Sequence, residues 1–147
     1  MRIKLDKGAK APTRAHATDA GLDLYSMEQK TIYPRPSLMD MHSLEIGECF
    51  DTGVHMEIPE GFYGKIESRS GLNVKHNIVS CGGVIDASYR GSIVVKLYNL
   101  GNKPYTVQKG DRIAQIIIQP CSLENLEIVA ELDETDRNEN GFGSSGR

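Results

Sequence analysis

The chain has 147 residues, a length typical of a single domain that buries a hydrophobic core. Its formal net charge of -3 shows no excess of positive charge, which argues against an extended surface for binding nucleic acid. A local cluster of basic residues could still bind a small anion. No apolar run is long enough to cross a bilayer, and the N-terminal stretch MRIKLDKGAK lacks a signal-peptide core. We therefore expect neither a nucleic acid nor a membrane as a partner.

The cysteines and histidines favour reduced thiols over a metal centre. The three cysteines are odd in number and form no CxxC pair, as expected in a cytosolic protein. The four histidines have no HExxH spacing. A metal ion held directly by side chains is therefore not expected.

Short segments with strand character recur along the chain between glycines and prolines. Segments such as SIVVKLYN and IAQIIIQP are rich in β-branched residues and too short for helices. In chain order, the predicted strands cover residues 1–5, 52–58, 63–66, 92–99, 112–119 and 126–130, and one short helix is predicted at 71–76. Short strands separated by turns are typical of an all-β sandwich or barrel.

Two further segments have no regular period. Residues 33–43, YPRPSLMDMHS, contain two prolines and are interpreted as an irregular insertion. From residue 133 the chain becomes polar and rich in glycine and serine. We predict one β domain over residues 1–132, with the insertion at about 33–43, followed by a flexible arm over residues 133–147.

Two polar clusters in the first half of the chain suggest sites for charged ligands. In ATDAGLDLYS, residues 17–26, Asp19 and Asp23 flank a turn of small residues, where carboxylates can hold a hydrated Mg²⁺ ion or form an Asx-type turn. In SRSGLN, residues 68–73, Arg69 lies where a strand ends and a helix begins. This arrangement suits an anion, and the alternative is an ordinary N-cap by Ser68 or Ser70.

The third cluster, CGGVIDASYRG at residues 81–91, combines glycines with an acid. The glycines allow the backbone to approach a flat ligand. Asp86 follows Val84 and Ile85, and an acid against an apolar wall becomes a usable general base. Tyr89 lies three residues further on. The alternative is a β-hairpin in which Asp86 serves the turn.

The last two clusters surround one glutamine and one phenylalanine. In KGDRIAQ, residues 109–115, KGD is a common turn, so Asp111 and Arg112 are interpreted as structural. Gln115 interrupts an apolar run, and it either has a buried partner, such as a ligand phosphate, or faces solvent from the other side of the strand. The terminal RNENGFGSSGR sets Phe142 among glycines and serines, which is typical of a mobile tail or of a segment that orders over a phosphate-bearing ligand.

These stretches, taken together and in this order, resemble the motifs of the trimeric dUTP diphosphatase (dUTPase) family. The matching stretches are ATDAGLDLYS, SRSGL, GGVIDASYRG, GDRIAQIIIQP and RNENGFGSSG, which span residues 17–146. The resemblance implies an all-β, distorted jelly-roll fold with one short helix and a homotrimer with active sites at the subunit interfaces. It also implies Mg²⁺-dependent hydrolysis of dUTP to dUMP and diphosphate, which keeps uracil out of DNA and supplies dUMP for thymidylate synthesis. The implied location is the cytoplasm, or also the nucleus in a eukaryote and the host cytoplasm for a phage or virus.

The resemblance assigns roles by matching position. Asp86 is the general base that activates the water attacking the α-phosphorus. Asp23 holds a water of the Mg²⁺ shell, while the triphosphate binds most of the metal. The residues implied at the nucleoside are Gly83, Val84 and Ile85 at the uracil and Tyr89 at the deoxyribose; those implied at the phosphates are Arg69, Ser70 and Gly71 from a neighbouring subunit, and Gln115. The arm residues implied at the ligand are Phe142 over the uracil, Gly143, Ser144 and Ser145 around the phosphates, and Arg137 as an added charge.

Three features depart from the family pattern, and two other functions are considered as alternatives to dUTP hydrolysis. Ser68 stands where many members have proline, Glu139 places an acid near a polyanion, and residues 33–43 lengthen the chain at a candidate surface for a protein partner. A dUTP-binding regulatory module that acts through that surface is the first alternative. The second is a dCTP deaminase, but its chemistry needs a glutamate where this chain has Lys96, and a lysine cannot shuttle those protons.

Overall fold

The computed structural model describes residues 1–34, 46–81, 83–136 and 138–139. These residues form one helix, α1 (Ser70–His76), and eleven strands. The strands are β1 (Arg2–Leu5), β2 (Leu22–Tyr25), β3 (Lys30–Ile32), β4 (Glu48–Asp51), β5 (Val54–Glu57), β6 (Phe62–Glu67), β7 (Ile78–Cys81), β8 (Val84–Ile85), β9 (Val94–Asn99), β10 (Tyr105–Val107) and β11 (Arg112–Pro120). The predicted fold class, mostly β with one short helix, is confirmed. No helix among these residues is long and apolar enough to cross a membrane.

Antiparallel pairing organises the strands into two sheets and two smaller ladders. The larger sheet has the order β2-β11-β6-β8 and the smaller one β4-β9-β7, while β1 pairs with β5 and β3 with β10. β11 is the longest strand and lies between β2 and β6. Its apolar run places Ile113, Ala114 and Ile116 in the core, where each is almost completely buried.

The hydrophobic core follows the two-residue period of the strands. In β9, Val95 and Leu97 point inward and are buried. Asn99 continues this inward row, and its amide nitrogen donates to the carbonyl oxygens of Ile32 and Lys103 at 2.9 and 2.8 Å. Because a buried amide needs such partners, Asn99 fixes the connection that follows β9.

Several strand bounds differ from those predicted. Residues 126–130 form no strand, and Leu126 and Ile128 are 98% and 99% exposed. Their composition favours a strand, but a strand needs a neighbour to pair with, and no other described residue pairs with this segment. The strand predicted from residue 52 begins at Val54, because Gly53 has a φ of +63° and turns the chain. The short strands β2, β3, β4, β7, β8 and β10 lie outside the predicted strand ranges, since two to four residues carry little periodic signal.

The boundaries of the insertion and of the arm remain predictions. Of residues 33–43, only Tyr33 and Pro34 are among the described residues. In the arm, residues 133–136 and 138–139 are described and exposed, whereas 137 and 140–147 lie outside the described residues. The division between a domain at 1–132 and an arm at 133–147 therefore stays a prediction.

Candidate active site

A cavity of about 380 Å³ lies where β2, β11 and the beginning of α1 meet. We call it the arginine groove. Its lining residues are Ala15, Asp19, Ala20, Gly21, Asp23, Arg69, Ser70, Gly71, Arg112, Gln115 and Ile117. Five of the residues implied at the phosphates and the metal, Asp23, Arg69, Ser70, Gly71 and Gln115, therefore share one cavity.

Asp23 pairs with two arginines at the centre of the groove. Arg69 Nε donates to Asp23 Oδ1 at 2.8 Å, and Arg112 Nη1 donates to Asp23 Oδ2 at 3.1 Å. The Asp23 side chain is only 13% exposed, against 24% for Arg69 and 47% for Arg112. Two guanidinium groups share one carboxylate, so the cluster keeps a net positive charge that favours an anionic ligand.

The two acids of the first motif have different roles. Asp19 Oδ2 accepts the backbone N–H of His16 at 2.8 Å, so Asp19 has a local structural role. This bond reaches back three residues, whereas an Asx-type turn reaches forward two, so the predicted turn type does not form at Asp19. Asp23 instead pairs with residues far along the chain, and the Asx-type alternative is wrong for it.

The serines of the second motif do not cap α1. Arg69 occupies the N-cap position with extended backbone angles, and no side chain caps the helix. The hydroxyl of Ser68 instead accepts the backbone N–H of Ser80 at 2.8 Å, which ties the end of β6 to β7. The N-cap alternative is therefore wrong, and Ser70 and Gly71 begin the helix at the wall of the groove.

Gln115 points into the groove and is partly buried. Its Nε2 atom donates to the carbonyl oxygen of Ser68 at 3.2 Å. A Cβ atom on Gly21 would lie 2.2 Å from Gln115 Oε1, so a larger residue at position 21 would displace the end of this side chain from its place in the groove. Gln115 therefore lies on the strand face opposite the core, as the second alternative expects, but it is half-buried and has the Ser68 carbonyl as its partner.

Arg112 is the groove residue that the sequence does not predict. In a regular strand, residues 112 and 115 point to opposite faces. The pairing of β11 with β2 shifts register between Arg112 and Ala114, which brings Arg112 to the side of Gln115. A bulge of this kind leaves no reliable sign in the sequence.

The third motif lies apart from the arginine groove. Val84 and Ile85 form β8, which pairs with Lys65 and Gly64 of β6. Gly83 accepts the backbone N–H of Ile66 at 3.0 Å, and Gly82 lies outside the described residues. Asp86 is exposed and Val84 is 64% exposed, so the predicted apolar wall around Asp86 is absent from the described part of the chain.

Residues 86–92 form a loop with its own hydrogen bonds, which we call the Asp86 loop. The backbone N–H of Tyr89 donates to Asp86 O at 3.0 Å, and the Tyr89 hydroxyl donates to Ser92 O at 3.0 Å. A Cβ atom on Gly91 would lie 2.3 Å from that hydroxyl oxygen, so glycine is required beneath the ring. The Ser92 hydroxyl bonds to the carboxylate of Asp51. Burial opposes the charge of Asp51, but the hydrogen bonds from Ser92 and Gly53 outweigh it and hold the pKa of Asp51 below its ordinary value.

The Asp86 loop and the arginine groove lie towards opposite ends of β6. Ile85 pairs with Gly64 near the start of β6, and Asp86 continues towards that start, whereas Arg69 follows the other end of β6. The extended backbone from Gly64 to Arg69 spans roughly 16 Å at about 3.3 Å per residue. The remaining implied residues, Arg137, Phe142, Gly143, Ser144 and Ser145, lie outside the described residues.

Comparison with known proteins identifies relatives over nearly the whole chain. The dUTPase family model matches residues 7–146. The deoxyuridine 5'-triphosphate nucleotidohydrolase of Mus musculus is 42% identical over 145 residues, which cover 99% of this chain and 83% of that protein. The structure of a Staphylococcus bacteriophage 80alpha dUTPase mutant with dUpNHpp has a TM-score of 0.87 and 31% identity, covering 99% of this chain and 98% of the other. A mutant dUTPase from phage phi11 of S. aureus, whose structure reveals the coordination of a structural Mg(II) ion, has a TM-score of 0.77 and 27% identity, covering 88% and 96% of the two chains.

The shared carboxylate predicts unequal effects for the two acids of the first motif. We expect Asp23→Asn to lower the free energy of unfolding by about 1 to 3 kcal/mol, because hydrogen bonds from two charged donors are lost or weakened. Asp19→Asn is the matched control from the same cavity, and because this acid accepts a neutral backbone N–H that an asparagine oxygen can also accept, we expect a loss below about 1 kcal/mol. Urea unfolding of both variants measures the difference, and equal losses would contradict the role given to Asp23.

Proposed function

The chain belongs to the dUTPase family, and we propose on this premise that it hydrolyses dUTP to dUMP and diphosphate. The observation that carries this proposal is the cluster of Arg69, Asp23 and Arg112, in which two guanidinium groups share one carboxylate at the centre of the groove. The reaction keeps uracil out of DNA and supplies dUMP for thymidylate synthesis. The enzyme acts as a deoxyuridine 5'-triphosphate nucleotidohydrolase.

The arginine groove binds the triphosphate. Arg69 and Arg112 offer guanidinium donors that match phosphate oxygens, and Arg69 exchanges part of its pairing with Asp23 for the ligand. Ser70 and Gly71 add contacts from the beginning of α1. Gln115, which Gly21 and the Ser68 carbonyl hold in place, adds a neutral donor.

The groove fits a Mg²⁺ ion that arrives with the triphosphate. Each oxygen of Asp23 accepts one arginine N–H and keeps a further lone pair, which can accept a hydrogen bond from a metal-bound water. Among the described residues, no group of three or more His, Cys, Asp or Glu side chains is placed to hold a metal by itself. When bound, Mg²⁺ supplies positive charge to the phosphate oxygens and helps to orient them.

The Asp86 loop supplies the base and the nucleoside contacts. Asp86 accepts a proton from the attacking water as the water oxygen bonds to the α-phosphorus, and the bond to the bridging oxygen breaks to release diphosphate. Gly83, Val84 and Ile85 present backbone groups to the uracil. Tyr89, held by Ser92 above Gly91, packs against the deoxyribose and leaves no space for a ribose 2′-hydroxyl.

We infer that each site forms between copies of the chain in a homotrimer. The separation between the Asp86 loop and the arginine groove along β6 supports this, since a site formed between chains can bring the two together around one ligand. The exposed segment 123–132 supports it as well, because Leu126, Ile128 and Leu132 are 87–99% exposed and need a partner surface. The number three follows from the family pattern.

The arm completes the site in this proposal. Phe142 stacks on the uracil, Gly143, Ser144 and Ser145 contact the phosphates, and Arg137 adds a positive charge. Closure of the arm over the ligand excludes bulk water from the reacting phosphorus.

The two alternative functions, a dCTP deaminase and a dUTP-binding regulatory module, have less support than dUTP hydrolysis. Lys96 lies in β9 with its ammonium group 5.5 Å from the ring centroid of Tyr98, and a cation at that position cannot serve the proton transfers of a deaminase. The regulatory alternative depends on residues 33–43, of which only Tyr33 and Pro34 are described.

Product analysis tests the reaction. Incubation with dUTP, dCTP, dTTP and UTP in the presence of Mg²⁺ is expected to give dUMP and diphosphate from dUTP alone, and Asp86→Asn is expected to lose this activity by about 100-fold or more because the water keeps its proton. Chromatography of the nucleotides measures the products. Ammonia from dCTP, or no hydrolysis by folded protein, would contradict the proposal.

Mixing two inactive variants tests the shared site. Asp86→Asn and Arg69→Ala are each expected to be inactive, but when they are unfolded and refolded together at equal amounts, about a quarter of the sites combine an intact Asp86 with an intact Arg69 from different chains. We therefore expect about a quarter of the wild-type activity. If both groups of a site belonged to one chain, the mixture would stay inactive.

Truncation tests the arm. Deletion of residues 138–147 is expected to lower kcat by about 100-fold, since water exclusion and the phosphate contacts are lost, with the circular dichroism spectrum and the Tm unchanged. A chain that ends after Ser145 is the matched control, because it keeps every arm residue assigned to the ligand. Equal activity of the two truncated chains would refute the role of the arm.

A further inference from the structure

His55 in β5 connects the Asp86 loop to the N-terminal strand. Its Nδ1 atom lies 2.8 Å from the carbonyl oxygen of Arg90, and its Nε2 atom lies 3.2 Å from Oδ1 of Asp6. The side chain is 17% exposed. Lys4 is the cross-strand partner of His55, and Asp6 follows directly after β1.

The Arg90 carbonyl belongs to a loop whose backbone and side chains are connected by several hydrogen bonds. Arg90 Nη1 donates to the carbonyl oxygens of Ala87 and Tyr89 at 2.6 and 2.9 Å, in addition to the loop hydrogen bonds described above. These bonds couple the Arg90 backbone to Tyr89 and Asp86. Outside the loop, the side chains that hold this unit are His55 at Arg90 and Asp51 at Ser92.

Both ring nitrogens of His55 face acceptors. A neutral imidazole has one N–H, so it can donate either to Arg90 or towards Asp6, whereas the imidazolium ion donates from both nitrogens. Nε2 is buried and makes no well-aligned hydrogen bond, and the carboxylate oxygen of Asp6 that faces it is 3.2 Å away. Only the imidazolium ion has an N–H on each nitrogen, one facing the Arg90 carbonyl and the other facing Asp6.

The surrounding charges favour that form. The hydrogen bond to the Arg90 carbonyl raises the pKa of His55 above its ordinary value of 6.5, and Asp6 raises it further, whereas burial and Lys4 act in the opposite direction. Asp51, which holds the other end of the loop, also interacts favourably with the imidazolium charge.

We propose that His55 is a positioning residue for the reaction: paired with Asp6, it fixes the Arg90 carbonyl and so sets Asp86 and Tyr89 in their working geometry. This inference rests on the proposed function. Because the pKa of His55 is raised in the folded chain, the stabilisation is fully present below the ordinary imidazole pKa and is lost as the pH rises through the raised value. At alkaline pH His55 should therefore hold the Asp86 loop less firmly, and we expect kcat to fall by a larger factor than KM changes.

Three variants and one control test this inference by steady-state kinetics with dUTP across pH. His55→Ala removes both contacts, and we expect kcat to fall by roughly 10-fold to 100-fold because Asp86 is misplaced. His55→Asn retains an N–H donor for Arg90 at every pH, so it should recover most of kcat and lack the alkaline loss. Asp6→Asn should move that loss to lower pH. Arg2→Gln is the control, since it breaks the Arg2–Glu57 pair on the same two strands and should leave the profile unchanged.

A second readout does not require turnover. The ¹⁵N resonances of the His55 ring report its protonation, and we expect titration above 6.5 in the wild type and a downward shift in Asp6→Asn. Titration at or below 6.5, or a kcat profile of His55→Ala equal to that of an active wild type, would overturn the inference while leaving the proposed function intact. A wild type that forms no dUMP would instead overturn the proposed function, and the ring titration would still decide whether His55 holds the loop in its charged form.

Discussion

The arginine groove depends on the carboxylate of Asp23. Its two oxygens hold guanidinium groups that come from different parts of the chain, Arg69 after β6 and Arg112 at the start of β11, while Asp23 itself belongs to β2. Without this shared anion, two like charges would face each other across the groove. Since β11 lies between β2 and β6, the strand order of the sheet converts three distant sequence motifs into one anion site.

The structure organises the two parts of the site independently within a single chain. The groove is held by ion pairs and by the fit of Gln115 against Gly21, and the Asp86 loop by its own hydrogen bonds and by contacts to β4 and β5. Each part can therefore take most of its geometry before it meets the other, with Arg69 as the group that changes partner on binding. Groups that need little rearrangement on binding lose less free energy to ordering, which favours both affinity and electrostatic stabilisation of a transition state.

The sequence predicts the features that local chemistry determines. Glycine-rich turns at strand ends identify the groove through Arg69 and Gln115, and the β-branched runs identify the longer strands. The position of Arg112 in the groove is not predicted from the sequence, because its orientation depends on a register shift between β11 and β2. The prediction of an apolar environment around Asp86 was wrong for a related reason. Val84 and Ile85 are neighbours of Asp86 in sequence, but successive strand residues point to opposite faces, so they do not pack around the next side chain.

The exposed segment 123–132 has a consequence for the newly synthesised chain. Its exposed apolar residues, among them Leu126 and Leu132, favour non-specific aggregation. Natural sequences suppress such aggregation by placing charged residues next to apolar segments. Glutamates at positions 124, 127 and 131 are interspersed among them, so two such segments that meet by chance bring carboxylates together. Repulsion between these acids protects solubility during synthesis, and only a surface that leaves the glutamates in water can accept the apolar side chains.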